Sequence, residues 1–246
     1  MIKQFDRVNI LGVPFVRTTL KEMSEQLVTH AELKEKAFVV TANPEIVLHA
    51  YENDDYKRSI DKATYVTADG IGVVKGAQLI GEKLPERVTG FDLFMRLLTM
   101  ANEKGQSIYL LGASKEVLPK TIAQIETQFP HVKITGSHHG FFDWADDAIP
   151  NEIRETKPDY VFVALGLPRQ ENWIAQHMDQ FDHGVFMGIG GSFDVLAGEV
   201  KRAPMFWQKI HLEWFYRLLK QPSRIGRMMA LPRFGIKMLQ ERKKQR

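Results

Sequence analysis

Short apolar runs that end in glycine-rich or polar turns, separated by segments of helical period, constrain this chain most. The clearest are 37–41 (AFVVT), 65–67, 107–111 (SIYLL), 159–165 (DYVFVAL) and 185–189. Runs this short, β-branched and aromatic and without polar alternation, suit strands buried on both faces. A shorter strand is expected at 132–135, and a strand pair at 8–16 with Gly12-Val13-Pro14 as its turn. Between the runs, Thr18 or Thr19 can cap a helix running to about residue 36, and Pro44 suits a helical first turn. Further helices are expected at 91–104 (stopped by Gly105), from the Gly112 turn to about 129, at 146–156 and at 168–178. Strands alternating with helices of this length imply an α/β fold with a mostly parallel sheet flanked by helices.

The 246 residues are 44% hydrophobic and 26% charged, enough apolar material for a sizeable core. The chain has no cysteine, which excludes disulfides, thiolate chemistry and Cys-ligated zinc. No histidine pair has helical metal-ligand spacing. His138 and His139 are adjacent and would point to opposite sides of an extended chain. The start, MIKQFD, has neither an apolar core nor a cleavage site, so it does not read as a signal peptide. No apolar stretch approaches the length of a membrane span. The expectation is a cytoplasmic protein.

The net charge of +3 hides an asymmetry. Residues 201–246 hold 13 Lys/Arg against two Asp/Glu, a local +11, whereas residues 1–200 carry −8. The one boundary visible in composition therefore falls near 199–204. It divides a body at 1–199 from a basic appendage at 200–246. In the appendage Phe206, Trp207, Ile210, Trp214, Phe215, Leu218 and Leu219 recur at near-helical spacing, and Pro222 and Pro232 are expected to break it into short helices. Aromatics on one side and cations on the other suit a membrane surface. Nucleic acid is the competing anion. The structural alternative is a helix docked on the core with a solvated basic end. It fits 206–219 and explains the later arginines less well.

Ligands of open parallel sheets bind beyond the carboxyl ends of the strands. Five sequence turns fall there: 41–45 (TANPE), 68–72 (ADGIG), 111–114 (LGAS), 165–171 (LGLPRQE) and 188–192 (GIGGS). The full dinucleotide fingerprint is missing, since Phe193 stands where its third glycine would be, and there is no P-loop. Asp69 is a lone carboxylate between a strand end and a Gly-x-Gly turn, either a general base in a cleft or the acceptor of an Asx turn. Thr41 and Asn43 could bind a sugar or a uracil, and Asn43 equally well caps the Pro44 helix. Gln170 and Glu171 fall in a helical first turn, where the dipole alone would favour a carboxylate. No two aspartates are separated by a single residue, so the Asp-x-Asp device that holds a divalent metal in many sugar-nucleotide enzymes is absent. Without a metal, a leaving diphosphate must be met by Arg, Lys or helix N-termini. Arg217, Arg224 and Arg227 are candidates, the last two spaced to share a helix face.

Taken together, TANPEIV (41–47), ADGIGVV (68–74), LGLPRQE (165–171), GIGGSFD (188–194) and RAPMFWQKIHLEWFYRLLKQPSRIGR (202–227) resemble the WecG/TagA/CpsF glycosyltransferases, family 26. The likeness covers nearly the whole chain in the expected order and is closest to the TagA/TarA branch of Gram-positive bacteria. It implies a Rossmann-like core with a C-terminal helical appendage that docks at the membrane and completes the active site. It also implies inverting chemistry with no metal or other cofactor. The implied reaction moves N-acetylmannosamine from UDP-ManNAc to the 4-hydroxyl of GlcNAc on undecaprenyl diphosphate. The β-linked product begins the wall teichoic acid linkage unit.

Carried over to this sequence, the resemblance makes Asp69 the catalytic base. Thr41 and Asn43 line the pocket and Gln170 lies near the nucleotide. Arg217, Arg224 and Arg227 meet the diphosphate or the lipid head group. The implied partners are a UDP-sugar donor, a polyprenyl-diphosphate-linked GlcNAc acceptor and the cytoplasmic face of the plasma membrane, with no nucleic acid. A homo-oligomer is an option while the appendage is undocked. Two alternatives stand beside this reading. One is a transferase of the same family using another UDP-sugar, such as a ManNAc uronic acid or glucose donor. The other is a non-enzymatic nucleotide- or nucleic-acid-binding module.

Overall fold

The computed structural model describes residues 1–209, 212–220 and 225–244, with only the backbone of 209, 217 and 227 described. The chain opens with an antiparallel hairpin, β1 (Arg7–Ile10) and β2 (Val13–Val16). Gly12, at φ +87°, and Leu11 make its turn. The tight turn thus ends before Val13, earlier than the sequence suggested, and Pro14 lies in β2 opposite Asn9. Helix α1 (Leu20–Glu32) follows, with Thr19 and Glu22 forming a reciprocal capping box. Next come β3 (Lys36–Ala42), α2 (Pro44–Glu52), α3 (Asp54–Asp61) and β4 (Tyr65–Ala68). They are followed by α4 (Ile71–Leu79), α5 (Gly90–Lys104), β5 (Ser107–Gly112), α6 (Val117–Gln128), β6 (Lys133–His138) and α7 (Ala148–Thr156). The body closes with β7 (Tyr160–Ala164), α8 (Arg169–His177), β8 (Gly184–Gly188) and α9 (Ser192–Leu196). The C-terminal segment carries α10 (Met205–Lys209), α11 (Glu213–Lys220), α12 (Ile225–Met228) and α13 (Ala230–Lys244).

Six strands form one parallel sheet in the order β4-β3-β8-β7-β5-β6. Successive side chains on a strand face opposite ways, and here both faces are covered. Phe38, Val40, Tyr109, Val161 and Phe186 enter a core with α2, α3, α4, α8 and α13. Their neighbours Val39, Leu110, Phe162 and Met187 enter a second core with α1, α5, α6 and α9. This doubly wound arrangement is the parallel α/β sheet that the apolar runs predicted and the Rossmann-like core that the resemblance implied. It puts the carboxyl ends of β4, β3, β8 and β7 side by side.

Helix α4 is absent from the sequence reading, because Gly70, Gly72 and Gly76 punctuate its residues like a loop. The glycines serve packing instead. A Cβ on Gly72 would come within 2.9 Å of Pro44 Cγ, and one on Gly76 within 2.7 Å of Phe234 Cε1. Pro232 does not break the last helix as expected. It sits in the first turn of α13, where a backbone N–H has no helical partner to lose. His138 and His139 do not diverge either. The strand ends at His138 and the two rings lie 4.4 Å apart.

The C-terminal segment is tied to the body at several points. Arg202 pairs with Asp92 at 2.7 Å, and Arg87 lies 3.7 Å from Glu213. Arg233 meets Glu52 at 2.6 Å, and the Lys237 ammonium lies 4.9 Å from the Tyr51 ring centroid. Phe234 and Met238, one helical turn apart, are buried in the first core. The docked apolar face is therefore at 230–238, not at 206–219. Trp207 instead rests against Phe215 and Tyr216 within the segment, and Phe206 and Leu219 stay exposed.

Candidate active site

Asp69 stands one residue past β4. Its backbone N–H donates to the Ala42 carbonyl at 2.9 Å, extending the β3–β4 pairing. Gly70, at φ +104°, then turns the chain into α4. A glycine tolerates that conformation without the steric cost a side chain would bring. The half-buried Asp69 carboxylate accepts from the Gly90 N–H through Oδ2 at 3.3 Å. The loop that supplies Gly90 is pinned by Val88, whose N–H donates to the Ala68 carbonyl at 2.8 Å. Thr89 caps α5 by accepting from the Asp92 N–H.

Thr41 ends β3 next door. It is buried, and its hydroxyl donates to the Gly188 carbonyl at 3.5 Å. Gly90 is what lets Thr41 and Asp69 sit together. A Cβ there would lie 2.8 Å from Thr41 Oγ1 and 3.8 Å from Asp69 Oδ2. Asn43 serves as the N-cap of α2, its Oδ1 accepting from the Ile46 N–H at 3.0 Å. The capping role weighed from the sequence is thus present.

Gln170 lies at the start of α8, beyond β7, and is buried. Its Oε1 accepts from the Gly190 N–H at 2.9 Å, and its Nε2 donates to Glu171 Oε1 at 2.6 Å. Glu171 is 1% exposed. Burial pushes its carboxyl up to about 7, against the hydrogen bond from Gln170 that favours the charged form. The Tyr56 hydroxyl is close to this carboxyl, and burial raises the phenol far above its ordinary range. The Tyr56 hydroxyl, which has no other partner among the described residues, also favours the charged form of this carboxyl.

Four sequence candidates thus lie at neighbouring strand ends: Asp69 after β4, Thr41 and Asn43 at the end of β3, and Gln170 after β7, with Gly188 at the end of β8 and Gly190 just beyond it joining Thr41 to Gln170. Arg224 lies outside the described residues, and Arg217 and Arg227 are described only as backbone in α11 and α12. The Arg87–Glu213 pair sets the start of α11 beside the loop that reaches Asp69. Sequence reasoning missed Gly90, whose approach to Asp69 spans 21 residues and leaves no local signal. Its one trace is the Thr-Gly-Phe-Asp cap pattern at 89–92. Among the described residues, no group of three His, Asp or Glu could hold a metal ion.

Fold and site define a doubly wound α/β protein with one carboxylate, a hydroxyl and two side-chain amides gathered at the carboxyl edge of its sheet. The chain belongs to the WecG/TagA/CpsF family of glycosyl transferases, whose model matches residues 8–246. It is 39% identical over 240 residues to a protein of Staphylococcus aureus strain MW2, covering 97% of this chain and 94% of that one. That relative is named N-acetylglucosaminyldiphosphoundecaprenol N-acetyl-beta-D-mannosaminyltransferase. The proteins of that name from strains NCTC 8325 / PS 47 and MRSA252 are likewise 39% identical, with the same coverage.

Proposed function

We propose that this chain transfers N-acetylmannosamine from UDP-ManNAc to the 4-hydroxyl of GlcNAc on undecaprenyl diphosphate, with inversion and without a metal. The sugar moved and the lipid-linked acceptor are those in the name of relatives that share nearly its full length, which supports this reading. The observation that carries the chemistry is the lone Asp69 carboxylate, held by the Gly90 N–H against Thr41 where the β4 and β3 ends meet. In this reading Asp69 takes the proton of the acceptor hydroxyl as that oxygen bonds to the anomeric carbon. The bond from that carbon to the diphosphate oxygen breaks on the opposite face, and UDP leaves. Its charge is met by Arg217, Arg224 and Arg227 of the appendage and by backbone N–H groups at the strand ends. Asn43 and Thr41 line the pocket, and Gln170 shapes its nucleotide side.

We read residues 1–199 as the catalytic body and 200–246 as an appendage that meets the cytoplasmic face of the membrane. Exposed Met205, Phe206, Leu219, Ile225 and Met229 lie among the appendage's cations, which supports that reading. No described helix is long and apolar enough to cross a membrane. The test is UDP release from a panel of UDP-sugars, with a GlcNAc-diphospho-lipid acceptor in vesicles and EDTA present. Release from UDP-ManNAc that survives EDTA is expected. Release only from another UDP-sugar would move the donor assignment, and release abolished by EDTA would sink the metal-free reading. Replacing the exposed Phe206 and Leu219 by Ser, which leaves the buried Phe234 and Met238 in place, should lower turnover on vesicles, and full turnover in that variant would contradict the appendage's role.

A further inference from the structure

Gln170 and Glu171 open one helix, yet their side chains form a single buried device. Gln170 uses both ends of its amide on the protein. Its carbonyl oxygen takes the Gly190 N–H at 2.9 Å and its NH2 group gives a hydrogen to Glu171 Oε1 at 2.6 Å. An amide can present its two ends either way round, and a 180° flip exchanges donor for acceptor with little change of shape. After such a flip the Gln170 NH2 would face the Gly190 N–H, donor against donor. With the Gly190 N–H donating on one side and Glu171 Oε1 accepting on the other, only one of the two orientations pairs both ends. The space is also fitted to that amide. A Cβ on Gly188 would fall 2.8 Å from Gln170 Nε2, so the β8 end leaves room for the amide only because residue 188 is glycine.

The chain of contacts continues toward the chemistry. Gly190, held by Gln170, lies two residues beyond Gly188, whose carbonyl accepts from Thr41. Thr41 in turn abuts Gly90, which holds Asp69. We infer that Glu171 is a positioning residue that fixes the Gln170 amide and, through it, the Gly188–Gly190 turn against which the nucleoside diphosphate of the donor rests. The inference deepens the proposed function and rests on its reading of that turn as the nucleotide side of the pocket. The buried carboxyl has a cost in desolvation that helix capping alone does not require. Glu171 turns its Oε1 toward Gln170, and the Tyr56 hydroxyl lies beside the same carboxyl.

The test is calorimetric titration of UDP into the full-length protein and five variants. Gln170→Ala should weaken UDP binding by about tenfold, the worth of one buried hydrogen bond near a charge. Glu171→Met, which keeps the length and removes the acceptor, should weaken it by a similar factor. The double variant should lose no more than about twofold beyond Gln170→Ala alone, because both substitutions break one linkage. Glu171→Gln can still offer a carbonyl to Gln170, with its NH2 turned to the Tyr56 hydroxyl, and should stay within about twofold of the parent. Glu171→Asp keeps the charge but withdraws the acceptor by one methylene, and should lose at least about threefold, which keeps the test alive if Glu171→Met does not fold. Parent-like binding in Glu171→Asp or Glu171→Met, while Gln170→Ala is weakened, would overturn the inference. So would losses that multiply in the double variant. Parent-like binding in Gln170→Ala would instead overturn the reading of the turn as the nucleotide side, and the inference with it.

Discussion

Phe234 of the last helix fills the space that a side chain on Gly76 would need, with its ring edge 2.7 Å from the position of such a Cβ. Gly76 belongs to α4, which begins two residues after Asp69. The same tail helix reaches Gly72, where a Cβ would meet Leu231 at 3.4 Å, and pairs with α2 through Arg233 and Glu52. Helices α2 and α4 are the two that carry Asn43 and Asp69 at their starts. The basic C-terminal helix is thus packed on the backs of both.

Truncating Phe234 to Ala should therefore destabilise the protein by about 3–5 kcal/mol, the usual cost of emptying a buried phenylalanine site. Urea denaturation would measure it. Transferase activity should fall in the same variant well below the denaturation midpoint, since α4 loses its backing. Unchanged stability would mean that α13 is not docked on α4 in solution.

Gly90→Ala separates geometry from folding. Alanine is the better former of helix interiors, but at the first position of α5 its Cβ must displace the buried Thr41, so the melting temperature should fall by a few degrees with the fold kept. The new methyl would press on the Thr41 hydroxyl beside Asp69. Turnover should drop by roughly tenfold or more, because small displacements of a reacting group are costly. Steady-state kinetics beside a thermal melt would show whether the two effects part in this way.

Much of this site could be read from the sequence, and the reasons are local. Asp69 was visible because a β-branched strand ends in Ala-Asp-Gly, and Asn43 because Pro44 announces a helix behind it. Gly90 was invisible because its meaning lies in a contact with a strand end 21 residues away. Glu171 read as ordinary dipole compensation, since no periodicity tells that a first-turn glutamate is 1% exposed. A docked face, the alternative to a membrane surface, fits 206–219 in the sequence because that stretch is rich in aromatics. By contrast, 230–238 buries only a sparse set that includes Phe234 and Met238, set among cations.

The buried carboxyl of Glu171 should leave a signature in stability against pH. Its folded value of about 7 lies above its ordinary 4.5, so the native state holds the proton more tightly than the unfolded chain. Stability of the parent relative to Glu171→Gln should be greatest below about pH 4.5, fall as pH rises to about 7, and then level off. The total loss is on the order of 3 kcal/mol, from the size of the shift. Burial of His30 and His177 lowers both imidazoles and acts the other way, with stability lost as pH falls. Both histidines are common to the two proteins, so the difference isolates Glu171. Denaturant midpoints from pH 4.5 to 8.5 would check it, and a difference that rises with pH would contradict it.

The central claim is that Asp69 is the base. The direct measurement is UDP release from UDP-ManNAc with the lipid acceptor, comparing the parent with Asp69→Asn alongside UDP binding by both. Asparagine keeps the shape and the contact with Gly90 but takes no proton at neutral pH. With Asp69 as the base, kcat should fall by about 10²- to 10⁴-fold while UDP affinity changes little. Parental kcat in Asp69→Asn would contradict that role.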